Sequence, residues 1–184
     1  MRERGQHRKG SRDSARHATR GNDGITIISG GQTGADRAAL DVALALHIPC
    51  GGWCPSDRAA EDGTIPAKYP LTPLPGRGGY RQRTRRNVHD SDGTVIFSYG
   101  PLTGGSKATA GDCRHFRKPC LMIDANVDGP MDAALSLAVF ILRHHVRRLN
   151  VAGPRASGQP GIYEFVRGAL MAMLKKPPRR RRRG

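Results

Sequence analysis

The stretch "IISGGQTGADRAALD", Ile27 to Asp41, changes character in its middle. A β-branched apolar run, Ile25 to Ile28, meets the adjacent glycines Gly30 and Gly31, and an alanine-rich amphipathic pattern begins a few residues later. The run suits a short buried parallel strand over Ile25–Ser29. The pattern after it predicts a helix over 35–47, with Ala39, Leu40, Ala43, Leu44 and Leu46 on its apolar face. A strand that turns through glycines straight into a helix is the opening unit of an α/β sheet, and the chain goes on to repeat it.

A short strand is expected over 48–53, followed by an excursion over 55–79 rich in Pro, Gly and charge. Loops of that length inside a compact domain are usually functional or disordered. A helix is predicted over 80–89 and a buried strand over 93–100, where Val95, Ile96 and Phe97 run without alternation. Helix 106–116, strand 119–124, helix 130–146, strand 148–153 and helix 161–174 complete the series. Five strands interleaved with helices imply a Rossmann-like, doubly wound, mostly parallel sheet covered on both faces, with right-handed crossovers.

At 184 residues the chain suits one domain. Its net charge of +16 is unevenly placed: residues 1–24 carry seven Lys/Arg against three Asp/Glu, and residues 175–184 carry seven against none. The tails therefore supply +11, and the domain over 25–174 is only modestly basic. Neither tail has the apolar content to offset its ordering entropy, so both are expected to be disordered. They read as solvated appendages or as tethers for a nucleic acid or another polyanion.

The positive N-terminus is not followed by an apolar stretch, and the longest apolar run, Ala133–Leu142, is far short of the ~20 residues of a membrane span. It fits deep burial or a subunit contact. Cys50, Cys54, Cys113 and Cys120 form no C-x-x-C, as expected of reduced thiols in a cytoplasmic protein with no cysteine-rich metal site.

In parallel sheets ligands sit beyond the carboxyl ends of the strands, and three loops there carry unusual chemistry. In the first, Gly30, Gly31 and Gly34 permit close backbone approach, Gln32 and Thr33 add side-chain donors, Arg37 lies within reach, and Asp36 sits in the first helical turn. One glycine suffices for a tight turn; three with Gln and Thr read as an anion cradle. The second loop, Gly100–Thr109, has the spacing of a phosphate loop between Gly100 and Gly105, but Ser106-Lys107 breaks the Walker pattern. Thr103, Gly104, Gly105 and Ser106 then form either an N-cap or a second anion nest. In the third, Gly153-Pro154 stops a strand and Arg155 follows as a planar donor for phosphate.

The blocks "ISGGQTGADRAALDVAL", "GGWCPSDRAAEDGTIP", "YRQRTRRNVHDSDGTVIF", "GPLTGGS" and "LNVAGPR" with "PGIYEFV" together resemble the putative molybdenum carrier family, over Ile25 to about Leu174. That family sits in the Rossmann-like superfamily containing the lysine-decarboxylase-like LOG phosphoribohydrolases. The resemblance implies a homo-oligomer, dimer or tetramer, that binds molybdenum cofactor (molybdopterin), a phosphorylated pterin whose dithiolene holds the metal. Carried over by position, Gly30, Gly31, Gln32, Thr33, Gly34 and Asp36 match the signature loop, and Thr103 to Ser106 the second. Trp53, Pro55, Arg58, Glu61 and Asp62 match the excursion, and Asn87, Asp90 and Asp92 lie ahead of the third strand.

The function expected is binding and carriage: amides of both glycine loops hold a phosphate, with Arg37, Arg58 and Arg155 as cationic partners, and the excursion covers the ring system. The alternative is an enzyme on nucleotide-like ligands, such as a phosphoribohydrolase. LOG enzymes place a glutamate in P-G-G-x-G-T-x-x-E where this chain has Ala110 and Gly111, with Asp112 out of register. Glu61, Asp62 and Asp92 are the remaining candidates for acid/base work. Nucleic-acid or polyanion binding through the tails is the third reading.

Overall fold

The computed structural model describes residues 24–175; the predicted tails lie outside that range but for their inner ends. The elements are β1 (Thr26–Ile28), α1 (Ala35–Ala45), β2 (Cys50–Gly51), β3 (Trp53–Cys54), β4 (Ala59–Ala60), β5 (Gly63–Thr64) and β6 (Thr72–Pro73). They continue as α2 (Tyr80–His89), β7 (Gly93–Ser98), α3 (Gly104–His115), β8 (Cys120–Asp124), α4 (Pro130–His144), β9 (Arg148–Ala152) and α5 (Ile162–Leu174). Five strands form one all-parallel sheet in the order β2-β1-β9-β7-β8. The architecture is the Rossmann-like α/β domain that the alternation predicts.

The order shows a displaced unit. β9, the last strand in the chain, lies in the middle, pairing Ile28 with Asn150 on one side and Val95 with Val151 on the other. If β9 and α5 were moved ahead of β1, the strands would read 3-2-1-4-5, the order of the doubly wound nucleotide-binding fold.

Alternating strand residues face different layers, as the period of a strand requires. Ile27, Val95, Phe97, Leu149 and Val151 join α1, α4 and α5 in the main apolar core. Buried Thr94, Ser98 and Asn150 occupy the alternate positions, with Asn150 Nδ2 donating to Thr94 Oγ1 at 3.2 Å. Helices α2 and α3 pack together, α3 against β7.

The strand predicted over 48–53 is split in two. Gly52, at φ 133°, turns the chain out of the sheet, and a Cβ there would lie 2.2 Å from the Ser29 carbonyl oxygen. β2 stays with β1, while β3 pairs in parallel with β6 inside the excursion. The excursion is thus ordered, with β4 and β5 as a second small ladder and its own cluster of Leu40, Cys54, Ile65, Tyr69 and Leu71. Arg58, itself at φ 55°, holds it together. Its guanidinium donates to the carbonyls of Leu71 at 3.0 Å, Pro66 and Tyr69 at 3.2 Å, and Ile65 at 3.3 Å.

All four cysteines are free thiols. Among the described residues no helix is long and apolar enough to cross a membrane.

Arg58→Ala removes the donor from four carbonyls at once. The expected result is a loss of about 1–3 kcal/mol in urea unfolding, with faster chymotrypsin cleavage after Leu71, which is buried in the parent.

Candidate functional site

The chain turns to opposite sides after the two central strands: β7 leads into α3 on one face and β9 into α5 on the other. A crevice must open between such strand ends, and in this fold it is where ligands bind. The structure has a cleft of about 540 Å³ there. Ser98 and Asn150 to Gly153 form its floor, the α3 N-terminus and α2 one wall, and Gly30, Gln32, Asp36 and Arg155 the other.

The α3 N-terminus is open toward the cleft. Thr103 occupies the N-cap without a side-chain hydrogen bond. None of the described residues accepts from the amides of Gly104, Gly105 or Ser106, whereas the Lys107 amide already bonds Thr103 O at 3.1 Å. Free amides at the positive end of a helix form an anion site. Gly100 N donates to Asp124 Oδ1 at 2.8 Å, and Gln159 clamps both backbone groups of Tyr99, so the loop ahead of α3 is held from β8 and from the loop after β9.

The first glycine loop is organised differently. Three of its amides are taken: Gln32 N bonds Asp36 Oδ2 at 3.3 Å, Thr33 N bonds Gln32 Oε1 at 3.0 Å, and Ala35 N bonds Pro154 O at 3.3 Å, whereas those of Gly30, Gly31 and Gly34 bond none of the described residues. Toward the cleft this loop also presents side chains. Arg83 of α2 lies across Gly30, where a Cβ would come within 1.3 Å of its Nη1, and pairs with Asp36 at 2.6 Å. Gln32 Nε2 and Arg83 Nε are buried and have no hydrogen-bond partner among the described residues. Both side chains line the cleft. Buried polar groups are nearly always satisfied, so these two donors are available to a molecule that enters the cleft. Arg81 adds positive charge at the rim while pairing with buried Asp112.

A model of the circularly permutated YpsA SLOG family matches residues 27–174. The permutation in that description is the one visible in the strand order. The chain belongs to the circularly permutated YpsA SLOG family. It is also 48% identical to the crystal structure of a "putative molybdenum carrier protein" from Syntrophus aciditrophicus SB, with a TM-score of 0.79 over 82% of this chain and 94% of that one. No curated protein matches.

Within this YpsA-type domain the residues singled out in the sequence separate into two groups. Gly30, Gln32, Asp36, Thr103, Gly104, Gly105, Ser106 and Arg155 line the cleft. The others serve the frame. A Cβ on Gly31 would meet Leu71 and Ile65 of the excursion, and Gly34 lies against the backbone of Pro154 to Ala156. Arg37 donates to Gly31 O at 3.2 Å and grips Asp62 with both terminal nitrogens. Arg58 is committed to its four carbonyls. Asp92 lies at the opposite end of the sheet, accepting from the amides of Arg147 and Arg148 at 2.9 and 2.7 Å. Trp53 packs on α2, its Nε1 bonded to Asp90 at 2.8 Å and its ring under Arg86. No excursion residue from 55 to 79 lines the cleft. Sequence reasoning missed Arg81 and Arg83; the signal was the arginine-rich "YRQRTRRNVH", which also fits a solvated helix face.

Glu61 and Thr33 form a latch that joins the excursion and the first glycine loop to the loop between β9 and α5. Thr33 Oγ1 donates to Glu61 and accepts from Ala156 N at 3.1 Å; Glu61 also accepts from Ser157 N at 3.2 Å and from the Ser157 hydroxyl, with Arg155 Nε at 3.8 Å. Burial alone would raise the Glu61 pKa, but the bonds from Ser157 and Thr33 and the charge of Arg155 outweigh it and hold it below 4.5. The folded state thus favours the carboxylate, so its contribution is full above the ordinary value and is lost as pH falls through the lowered one. Hydrogen-exchange protection of the Ala156 and Ser157 amides should accordingly be steady down to about pH 4.5 and drop below it. Glu61→Gln should weaken that protection at neutral pH and remove the acid step.

Proposed function

We propose that this protein binds and carries a phosphate-bearing cofactor, molybdenum cofactor in its pterin form, holding it rather than transforming it. The observation that carries the reading is the open α3 N-terminus, whose three free amides face a cleft with Arg81, Arg83 and Arg155 on its walls. Amides and arginines converging on one space suit a phosphate. The orphaned Gln32 Nε2 and Arg83 Nε suit acceptors on a flat heterocycle, and the cleft volume is in the range of small-molecule sites. The name carried by the 48% identical relative points to the same cargo. In that cargo the dithiolene sulfurs hold the metal. Among the described residues no group of three His, Cys, Asp or Glu is placed to do so. The four free thiols fit a reducing, cytoplasmic setting.

The carboxylates that the enzymatic alternative would use are engaged or remote among the described residues. Asp36 is tied to Arg83 and Asp112 to Arg81, Glu61 is in the latch, Asp62 is held by Arg37, and Asp92 is remote.

The test uses the full chain from a host competent in cofactor synthesis. The protein is denatured, and released small molecules are identified by mass spectrometry with molybdenum assayed alongside. Gly105→Asp is the matched variant. The position opens into free space, and an acidic residue in the first helical turn leaves the helix intact, but its charge faces the incoming phosphate. The parent should release a pterin phosphate, and the variant should retain at least about tenfold less, a 1.4 kcal/mol effect, with the melting temperature of the parent stripped of ligand. A nucleotide without pterin or metal would favour the enzyme, and an empty parent would remove the carrier reading.

The proposal includes a homo-oligomer. Met131, Leu135, Val139 and Leu142 make an exposed apolar line along α4, from 55% to 74% accessible, beside exposed Met122 and Val127 on the neighbouring sheet edge. The line is one helix face at i, i+4 and i, i+3 spacing and complements an antiparallel copy of itself. Leu135→Glu with Leu142→Glu should convert the assembly to monomer in light scattering without loss of helical circular dichroism.

A further inference from the structure

The two walls of the cleft differ in charge. At the α3 N-terminus the amides of Gly104, Gly105 and Ser106 meet no acid in the first helical turn, so that wall is positive. On the other wall Arg83 is paired with Asp36 at 2.6 Å, and both side chains are about nine-tenths buried, so the pair adds no net charge. This neutral wall nevertheless holds the two donors without partners among the described residues, Gln32 Nε2 and Arg83 Nε. Their side chains are neighbours: Arg83 Nη1 and the Gln32 backbone amide donate to the same oxygen, Asp36 Oδ2, at 2.6 and 3.3 Å.

Both groups can only donate. A guanidinium has no acceptor. The Gln32 side-chain amide is fixed in one orientation, because its Oε1 accepts from the Thr33 and Glu61 backbone amides, each at 3.0 Å. A flipped side chain would set Nε2 against those two N–H groups, so the free atom stays a donor. Neighbouring polar groups that line the cleft are committed elsewhere: Asn87 to both backbone groups of Trp53, and Ser98 Oγ to Gly100 O at 2.9 Å. A phosphate oxygen is a poor match for this wall, since the Asp36 carboxylate borders the donors and repels a second anion. A carbonyl oxygen matches, with two lone pairs and no charge.

We infer that Gln32 and Arg83 select the ring of the bound molecule by an exocyclic oxo group and reject a ring that carries an amino group in its place. The class of ligand is then an oxo-heterocycle phosphate, its phosphate on the α3 amides and its oxo group on Gln32 Nε2 and Arg83 Nε. An amino group there would set N–H against N–H and leave both buried donors unpaired. Sites built to hydrogen-bond one functional group discriminate more sharply than sites that only fit its size. A pterin carries such an oxo group, as does an oxopurine; adenine carries the amino group instead. The inference rests on the proposed seat of the phosphate at α3, and it holds whichever oxo-heterocycle is the cargo.

Calorimetric titration of the full chain, purified from a host without cofactor synthesis, tests it with inosine monophosphate and adenosine monophosphate. These probes share a ribose phosphate and differ in an oxo against an amino group on the purine. Inosine monophosphate should bind the parent at least about tenfold more tightly. Gln32→Glu keeps the oxygen that serves the Thr33 and Glu61 amides and turns the free donor into an acceptor, so the preference should fall to parity or reverse. Arg83→Lys keeps a charge opposite Asp36 and removes Nε, and should cut the preference at least about threefold, with circular dichroism confirming the fold of each variant. Equal affinity of the parent for both probes, no binding of inosine monophosphate, or parental preference in either folded variant would overturn the assignment. A parent that releases pterin phosphate from a competent host yet shows no preference would sink this inference alone. Preference without pterin release would sink the carrier reading alone.

Discussion

The structure depends on one non-local pairing. β9 enters the sheet from the far end of the chain and is hydrogen-bonded on both sides, with Ser29 Oγ also donating to Val151 O across 122 residues of sequence. Without β9 the other strands fall into two pairs, β1 with β2 and β7 with β8, and no switch point exists between them. The same strand supplies the cleft floor, delivers Pro154 O to the first amide of α1, and launches α5 between α1 and α4. Position of the site and integrity of the core are therefore one constraint.

The two walls of the cleft are fastened by different forces. The α1–α5 side rests on a continuous apolar core that excludes water. Helix α2 buries only Asn87 and Val88, and is held by polar contacts: Asn87 to both backbone groups of Trp53, Arg83 to Asp36 and Arg81 to Asp112. The Arg83 and Asp36 side chains are about nine-tenths buried, a geometry in which loss of one partner leaves an uncompensated charge. One wall is thus set by burial and the other by charge, and the charged wall supplies Arg81 and Arg83 to the site, two of its three arginines.

How much was legible from sequence follows from the range of each interaction. Strands such as Val95-Ile96-Phe97 and helices such as α1 and α5 declare themselves through local patterning, so class and strand number could be read. The central place of β9 could not, because its partners are fixed by packing across more than a hundred residues. Gly52 hid the division of β2 from β3, since its φ is set by the Ser29 carbonyl, itself distant in sequence. At the site, "TGGS" signalled the open helix end through composition alone. The first glycine loop shows the same composition but spends three of its amides on Asp36, Gln32 and Pro154, a distribution no spacing rule contains. Arg83 was invisible because a charge on a helix is ordinarily solvated, and only the approach of α2 to Gly30 buries it.

Under the proposed binding, the orphaned nitrogens of Gln32 and Arg83 would tie the protein's abundance to its supply of ligand. Each buried donor left without an acceptor costs about 1–3 kcal/mol, a large part of a domain's total margin of about 5–15 kcal/mol. A ligand that provides those acceptors offsets the cost in the folded state only, and so shifts the population away from open, degradable forms. A cell that makes little ligand would then accumulate little of this protein, with no regulator beyond its own proteases.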